Sequence, residues 1–344
     1  MNIKIAPSPT IEVADPAVLD ADTRRMMARL EADPFLDTSM TIDQMRAGFE
    51  KFYAGMSADR KNKAVSSDRE IPGRHGPIPL RIYTPAGTYS APRPVLVFFH
   101  GGGSIMGSLN SYDAMCDELC TVSEAIVVSV AYRLAPEHPY SVQVEDCYDA
   151  LTWTHVNADQ LGAEPAKLAV GGESGGAGLA AIVTQMVREA GGPRIGFQLL
   201  IYPYVGTRGG SRSMVEFSRG FFFDADTLTW FSDLNFPDPA ALKDWRVAPV
   251  WADSFADLPP AFVLTAGCDI LRDDAEDYAR RLSEAGVPVE VERYERTIHG
   301  FVMMGAWIEA GRRALHQCGE KVREAFQTPA SRPERPPRPI ATRV

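Results

Sequence analysis

The chain has 344 residues, 45% of them hydrophobic and 23% charged, which is typical of a folded globular protein. Its formal net charge of -10 argues against nucleic acid or an anionic membrane as the main partner. No apolar run approaches the roughly 18 residues that cross a bilayer, and the first residues lack the pattern of a secretory signal. The five scattered cysteines form no Cys-x-x-Cys pair. We therefore expect free, buried thiols, no membrane insertion, no metal and a cytoplasmic location.

The order of predicted elements indicates an α/β protein. Residues 1–63 predict two helices, at 17–30 and 41–56, the second with an apolar residue at every third or fourth position. After residue 65, short apolar runs alternate with helical patterns, which predicts a mainly parallel sheet flanked by helices. The predicted strands are 80–84, 95–99, 126–130, 167–170, 198–202, 261–265 and 287–293, and the predicted helices between them are 112–122, 142–156, 176–190 and 273–285.

Two segments interrupt this alternation. Residues 206–260 are longer than a crossover needs and are rich in aromatic residues, which favours a functional insertion such as a lid. From residue 328 the chain is rich in proline and arginine, and residues 329–339 include no large aliphatic or aromatic residue for a core. We predict a disordered tail there; a polyproline-type docking ligand is the alternative.

The segment Gly172-Glu-Ser-Gly-Gly176 is the strongest motif in the chain. It follows a predicted strand and precedes a predicted helix, which is the context of a nucleophile elbow. Side chains two positions either side of Ser174 would collide in such a turn, which explains the flanking glycines. The N–H groups at the start of the helix favour negative charge near the serine. We therefore predict that Ser174 is a nucleophile; a turn without chemistry is the alternative.

A second motif, His100-Gly-Gly-Gly103, follows the predicted strand at 95–99. Successive glycines let backbone N–H groups approach a ligand closely, as an oxyanion hole requires. We predict that Gly101, Gly102 and Gly103 supply these donors together with Gly175, next to the nucleophile. A phosphate loop is disfavoured because no lysine follows and the G-x-G-x-x-G spacing is absent. His100 itself is interpreted as a hydrogen-bonding residue that fixes the loop.

A serine nucleophile needs a base, and the base needs an orienting acid. His299 follows the last predicted strand and precedes a helix, and Asp269 follows the strand at 261–265. The order Ser174, Asp269, His299 is the nucleophile–acid–base order of α/β-hydrolases. The remaining histidines lie in proline- or glycine-flanked loops or on helical patterns: His75, His138, His155 and His316.

With these motifs on one chain, the sequence resembles the hormone-sensitive-lipase-like esterases (bacterial lipase family IV) of the α/β-hydrolase fold. The resemblance runs from about Leu80 to Phe326. It implies a serine carboxylester hydrolase that acts on short- to medium-chain acyl esters without metal or organic cofactor. The motifs that carry it are His100-Gly-Gly-Gly103, Ala131-Tyr-Arg-Leu-Ala-Pro-Glu-His-Pro139, Gly172-Glu-Ser-Gly-Gly176, Asp269-Ile-Leu-Arg-Asp273 and His299-Gly-Phe301.

The same resemblance implies a division of the chain. A helical cap would consist of residues 1–63 and 206–245, over a catalytic core of residues 64–205 and 246–327, with the tail at 328–344. It also implies a homodimer formed through the last strand and helix. Three positions near the site depart from the family pattern: Glu173 stands for aspartate, Gly175 for alanine and Ile270 for proline.

A further departure bears on the substrate. Ser104 stands where the family usually has Trp or Phe, so we expect a wider or more polar pocket that accepts bulky or branched esters. We expect Ser104, Tyr204 and Phe222 to line that pocket. Hydrolysis of lactones, thioesters or amides uses the same machinery and stays open. A dehydratase or a non-catalytic ligand-binding protein on this scaffold is the alternative, and a peptidase is disfavoured.

Overall fold

One central sheet organises the molecule. The computed structural model describes residues 12–57, 64–87 and 91–327. Eight strands form the sheet, in the order β1-β2-β4-β3-β5-β6-β7-β8. Only the β1–β2 and β2–β4 pairs are antiparallel, which confirms the predicted mostly parallel sheet. The strands are β1 Ala64–Ile71, β2 Ile78–Pro85, β3 Arg93–Phe99, β4 Ile126–Val130, β5 Ala163–Glu173, β6 Phe197–Ile201, β7 Ala261–Cys268 and β8 Val289–Ile298.

Helices cover both faces of the sheet because its central strands are apolar on both sides. Leu96 and Phe98 of β3 belong to one core cluster, whereas Val95, Val97 and Phe99 belong to the other. All five cysteines are buried with free thiols, as predicted. The helices are α1 Ala21–Ala32, α2 Ile42–Ser57, α3 Asp113–Ser123, α4 Tyr140–Val156, α5 Ala158–Leu161, α6 Gly175–Ala190, α7 Ser213–Glu216, α8 Ala225–Asn235, α9 Arg272–Glu284 and α10 Glu309–Gln327.

The first helix begins later than its sequence pattern indicates. The predicted helix starts at residue 17, but α1 starts at Ala21 because the Asp20 carboxylate accepts the N–H of Thr23 at 2.7 Å. An aspartate in this position caps a helix and marks its first turn. Pro16–Val18 forms a separate 3-10 turn instead.

Two segments lie over the carboxyl end of the sheet. We call residues 12–57, with α1 and α2, and residues 206–245, with α7 and α8, the covering segments. They contact each other: the rings of Phe35 and Phe222 are 5.6 Å apart, and the N–H of Ala14 donates to the carbonyl of Glu216 at 2.8 Å. That these two segments form a cap with the predicted bounds stays a prediction. The predicted tail at 328–344 lies outside the described residues.

Candidate active site

The turn predicted to be a nucleophile elbow joins β5 to α6. Ser174 has φ 54° and ψ -119°, a strained conformation for a residue with a side chain. A Cβ at Gly172 would lie 2.4 Å from the carbonyl group of Gly176, and a Cβ at Gly176 would lie 2.1 Å from the carbonyl oxygen of Phe99. Only glycine fits at either position, so the turn can bring Ser174 to the sheet edge.

Three side chains from three loops form one chain of hydrogen bonds. Ser174 Oγ lies 2.7 Å from His299 Nε2, and His299 Nδ1 lies 2.7 Å from Asp269 Oδ2. The other oxygen of Asp269 accepts the N–H of Leu271 at 2.9 Å. Because both carboxylate oxygens are held, the acid fixes the plane of the imidazole and leaves Nε2 toward the serine.

The surroundings of His299 favour its protonated form. Burial opposes a charged imidazole, but the charge and hydrogen bond of Asp269 outweigh burial, and Glu173 adds to them, so the pKa of His299 is raised. Two aromatic rings hold the imidazole in place: Phe223 is stacked on it at 4.7 Å, and the ring of Tyr202 lies 4.8 Å away. The arrangement suits a base that takes a proton and remains charged while the reaction proceeds.

Three of the four predicted oxyanion donors lie at the cavity wall. Gly102, Gly103 and Gly175 line the cavities beside Ser174, and a Cβ on Gly175 would lie 3.4 Å from the Cα of Gly103. Gly101 faces elsewhere: a Cβ on it would lie 1.7 Å from Glu173 Oε2. Gly101 therefore lies against a buried carboxyl group. It lines neither of these two cavities.

His100 holds the loop that contains these glycines. Its Nδ1 donates to the carbonyl of Gly101 at 2.8 Å, and its own carbonyl accepts the hydroxyl of Tyr132 at 2.7 Å. Burial lowers the pKa of His100 to about 4, so the ring is neutral at ordinary pH. These contacts agree with the interpretation of His100 as a loop-fixing residue.

Glu173 is a second buried acid at the site. It is 3% exposed, and its Oε2 accepts the hydroxyl of Tyr112 at 2.7 Å. Burial raises the pKa of Glu173, while His299 and the hydroxyls of Tyr112 and Tyr202 act in the opposite direction. The carboxyl therefore joins the elbow to Tyr112, the residue that precedes α3.

Two cavities meet at Ser174. The first, of about 420 Å³, is lined by the predicted pocket residues Ser104 and Tyr204. The second, of about 440 Å³, is lined by the predicted Phe222 and by His299. Their common walls are Gly103, Ser174, Phe223 and Phe231. Most of the aromatic side chains in these walls come from the covering segments, so these segments shape the space around the serine.

Sequence reasoning missed several lining residues. Phe223 and Phe231 belong to the aromatic-rich insertion, and that composition was their only signal. Asn235 lines the first cavity, and nothing in its neighbourhood in the sequence distinguishes it. Among the described residues, no group of three or more His, Cys, Asp or Glu side chains is placed to hold a metal ion.

Known proteins resemble this chain over most of its length. A family model described as the alpha/beta hydrolase fold matches residues 96–303. "Esterase LipI" of Mycobacterium tuberculosis is 40% identical over 256 residues, 73% of this chain and 79% of that protein. "Ethyl acetate hydrolase" of Pseudomonas putida is 32% identical over 291 residues, 83% of this chain and 91% of that protein. A solved hyperthermophilic esterase from the archaeon Pyrobaculum calidifontis has a TM-score of 0.85 and 38% identity, and the match covers 89% of this chain and 98% of that one.

Proposed function

We propose an ester-hydrolysis mechanism for this chain, which belongs to the hormone-sensitive-lipase-like carboxylesterases of the α/β-hydrolase fold. The observation that carries the proposal is the hydrogen-bond chain from Ser174 through His299 to Asp269, with 2.7 Å at each step. These are the distances and the order that an activated serine requires. We assign Ser174 as nucleophile, His299 as base and Asp269 as orienting acid.

The first half-reaction forms an acyl-enzyme. Ser174 Oγ attacks the ester carbonyl carbon, and its proton passes to His299 Nε2. The carbonyl oxygen becomes an oxyanion that backbone N–H groups of Gly102, Gly103 and Gly175 stabilise. When the intermediate collapses, the carbon–oxygen bond to the alcohol breaks, and His299 returns its proton to the leaving alkoxide oxygen.

The second half-reaction releases the acid. Water attacks the acyl carbon while His299 takes one of its protons. The second tetrahedral intermediate then collapses, the bond to Ser174 Oγ breaks, and His299 returns the proton to the serine. Asp269 stabilises the imidazolium in both halves. The products are one carboxylic acid and one alcohol, and no other reactant is consumed.

We assign short- to medium-chain acyl esters as substrates. Both cavities beside Ser174 are walled mainly by aromatic and aliphatic side chains, which suit an apolar acyl chain. The covering segments act as the cap, which binds the apolar acyl or alcohol group and limits the access of bulk water to the site. Ser104, in place of an aromatic residue, widens the first cavity for branched groups.

The test is hydrolysis of p-nitrophenyl esters from acetate to palmitate by the wild type and by Ser174→Ala. We expect a maximum at short chains and a loss of at least about 1,000-fold in the variant. A lactone, a thioester and an amide in the same series separate the related activities. Hydrolysis that is flat with chain length and insensitive to Ser174→Ala would contradict the proposal, provided that circular dichroism shows the variant folded.

Within residues 12–57, 64–87 and 91–327, no helix has both the length and the apolar character that crossing a membrane requires. A cytoplasmic location, a homodimer and the division into cap and core stay predictions.

A further inference from the structure

The glycine loop, residues 100–107, has an unfavourable backbone. Gly102, Gly103 and Ser104 follow one another with φ of 93°, 62° and 63°. A left-handed conformation costs energy for Ser104, and a run of such residues persists only where neighbouring groups hold it. The contacts that hold the loop are therefore part of the machinery that presents its N–H groups.

Backbone N–H groups hold two of the loop carbonyls. The carbonyl of Gly102 accepts the N–H groups of Ile105 at 3.1 Å and Met106 at 2.9 Å. The carbonyl of Ser104 accepts the N–H of Ala135 at 2.9 Å. Because a peptide unit is planar and trans, holding the Gly102 carbonyl also sets the direction of the next N–H group. That N–H belongs to Gly103, one of the proposed oxyanion donors.

The next carbonyl is held by a side chain of helix α2. Arg46 Nε donates to the carbonyl of Ile105 at 2.7 Å, and Arg46 Nη2 donates to the carbonyl of Ala135 at 2.9 Å. Its two terminal nitrogens also donate to Glu137, at 2.6 and 2.8 Å. The guanidinium thus fastens the glycine loop to the loop that contains Ala135, and a planar fork is needed to reach all three partners.

A side chain of the second covering segment completes the set. Asn235, the last residue of α8, donates through Nδ2 to the carbonyl of Gly103 at 2.8 Å and to that of Phe231 at 2.9 Å. The loop itself therefore holds the peptide unit that precedes Gly103, and Asn235 holds the carbonyl of Gly103. One residue from each covering segment bonds the glycine loop.

We propose that Arg46 is a positioning residue for the oxyanion hole. It holds the carbonyl of Ile105, and the N–H of Met106 in the same peptide unit donates to the Gly102 carbonyl. The peptide unit of that Gly102 carbonyl in turn aims the N–H of Gly103. Helix α2 then contributes to the rate of reaction as well as to the walls of the cavity. The inference rests on the proposed function for its oxyanion chemistry, and Asn235 acts in the same way from α8.

The test compares Arg46→Met with Glu137→Gln on p-nitrophenyl acetate. Arg46→Met removes the donors to both carbonyls, so we expect kcat to fall about 10- to 100-fold while KM changes less than about 3-fold. Glu137→Gln removes the ion pair but keeps every donor of Arg46, so we expect kcat within about 3-fold of the wild type. Arg46→Lys keeps the charge without the fork, and its kcat should lie between these values.

A second readout does not depend on ester turnover. A fluorophosphonate reacts when Ser174 Oγ bonds to phosphorus, fluoride leaves and the serine proton passes to His299; the phosphoryl oxygen occupies the oxyanion hole. We expect its second-order rate constant to fall about 10-fold or more in Arg46→Met and to stay within about 3-fold in Glu137→Gln. Failure of the proposed function leaves this comparison intact, because no ester needs to be hydrolysed.

Thermal unfolding of each variant is measured alongside. If Arg46→Met does not fold, Asn235→Asp replaces the donor to the Gly103 carbonyl without a change of shape, and the same loss in the fluorophosphonate rate is expected. Three results would overturn the inference: an unchanged fluorophosphonate rate in the folded variants, a rise in KM with kcat unchanged, or an equal loss in Glu137→Gln.

Discussion

Glu173 brings a second carboxyl group to the proposed base. When ionised, it favours the imidazolium of His299, as Asp269 does, and both contribute to the raised pKa of His299. Glu173→Gln removes this charge and keeps an oxygen that accepts the Tyr112 hydroxyl. We therefore expect the pKa of His299 to fall and the acid limb of kcat/KM to move to lower pH, since the base stays neutral further into acid. The position of the acid limb is measured from the pH dependence of kcat/KM for p-nitrophenyl acetate.

Tyr112→Phe is the matched comparison for this prediction. It leaves the carboxyl group of Glu173 in place but removes a hydrogen bond that lowers the pKa of that group. The neutral carboxyl is then favoured, so we expect the acid limb to move in the same direction as in Glu173→Gln, but by less. If the acid limb of Glu173→Gln stays at the wild-type position, Glu173 carries no charge in the pH range where His299 titrates.

At the residue scale, the sequence indicates groups whose role depends on local context. Ser174, Asp269 and His299 each follow the end of a strand, and parallel strands bring those ends to one edge. Arg46 and Asn235 have no such signal. Their partners Ile105 and Gly103 lie 59 and 132 residues away along the chain, and a single arginine on an amphipathic helix is ordinarily solvated.

Helix α6 offers a test at the scale of one element. Its first residue, Gly175, has no positive φ. The nearest neighbours of a methyl group there would be the Gly103 Cα at 3.4 Å, the Ser104 N at 3.5 Å and the Gly103 carbonyl carbon at 3.6 Å, which are ordinary contacts. Alanine favours a helix over glycine by up to about 1 kcal/mol. We therefore expect Gly175→Ala to raise the free energy of unfolding by roughly 0.5–1 kcal/mol, measured by urea denaturation.

Gly176→Ala is the control at the next position of α6. Its methyl group would lie 2.1 Å from the carbonyl oxygen of Phe99 and 2.2 Å from that of His100, so we expect a loss of roughly 1–3 kcal/mol. A Gly175→Ala variant that loses as much free energy of unfolding as Gly176→Ala would contradict the contact distances. The wild-type glycine at 175 would then have a structural purpose.

Strand prediction succeeded where both faces are covered and failed at an edge. The run 95–99 is continuously apolar because β3 is buried on both sides. Strand β1 was not predicted, since six of its eight residues are exposed and polar side chains dominate it. Its place depends on antiparallel pairing with β2, and backbone hydrogen bonds leave little trace in side-chain patterning.

The stability of the whole molecule is linked to a buried acid at the start of α9. Asp273 and Asp274 lie in the first turn of that helix. Asp273 accepts the N–H of Ser213 at 2.8 Å and so holds the inserted segment at its base. Burial raises the pKa of Asp274 to about 6, against hydrogen bonds from Thr207 and Ser211 that lower it.

The sign of the pH effect follows from this pKa. An unfolded aspartate titrates near 4, so between about pH 4 and pH 6 the folded chain binds more protons at Asp274, and the free energy of unfolding falls as pH rises. Asp274→Asn removes the charge, and we expect it to stabilise the protein at pH 8 by roughly 1–3 kcal/mol, a gain that vanishes near pH 4. Urea denaturation of the wild type and of Asp274→Asn at pH 8 and pH 4 measures this difference in the free energy of unfolding.

Asp277, on the same helix, supplies the opposite case. Burial raises its pKa, but hydrogen bonds from Arg281 and Arg280 outweigh burial, and the pKa of Asp277 is lowered. Its ionised form therefore stabilises the fold above the pKa of the unfolded aspartate, and Asp277→Asn should destabilise the protein at pH 8 by up to about 1 kcal/mol, as partly exposed ion pairs do. If Asp274→Asn destabilises the protein at pH 8, as Asp277→Asn should, burial does not control the ionisation of Asp274.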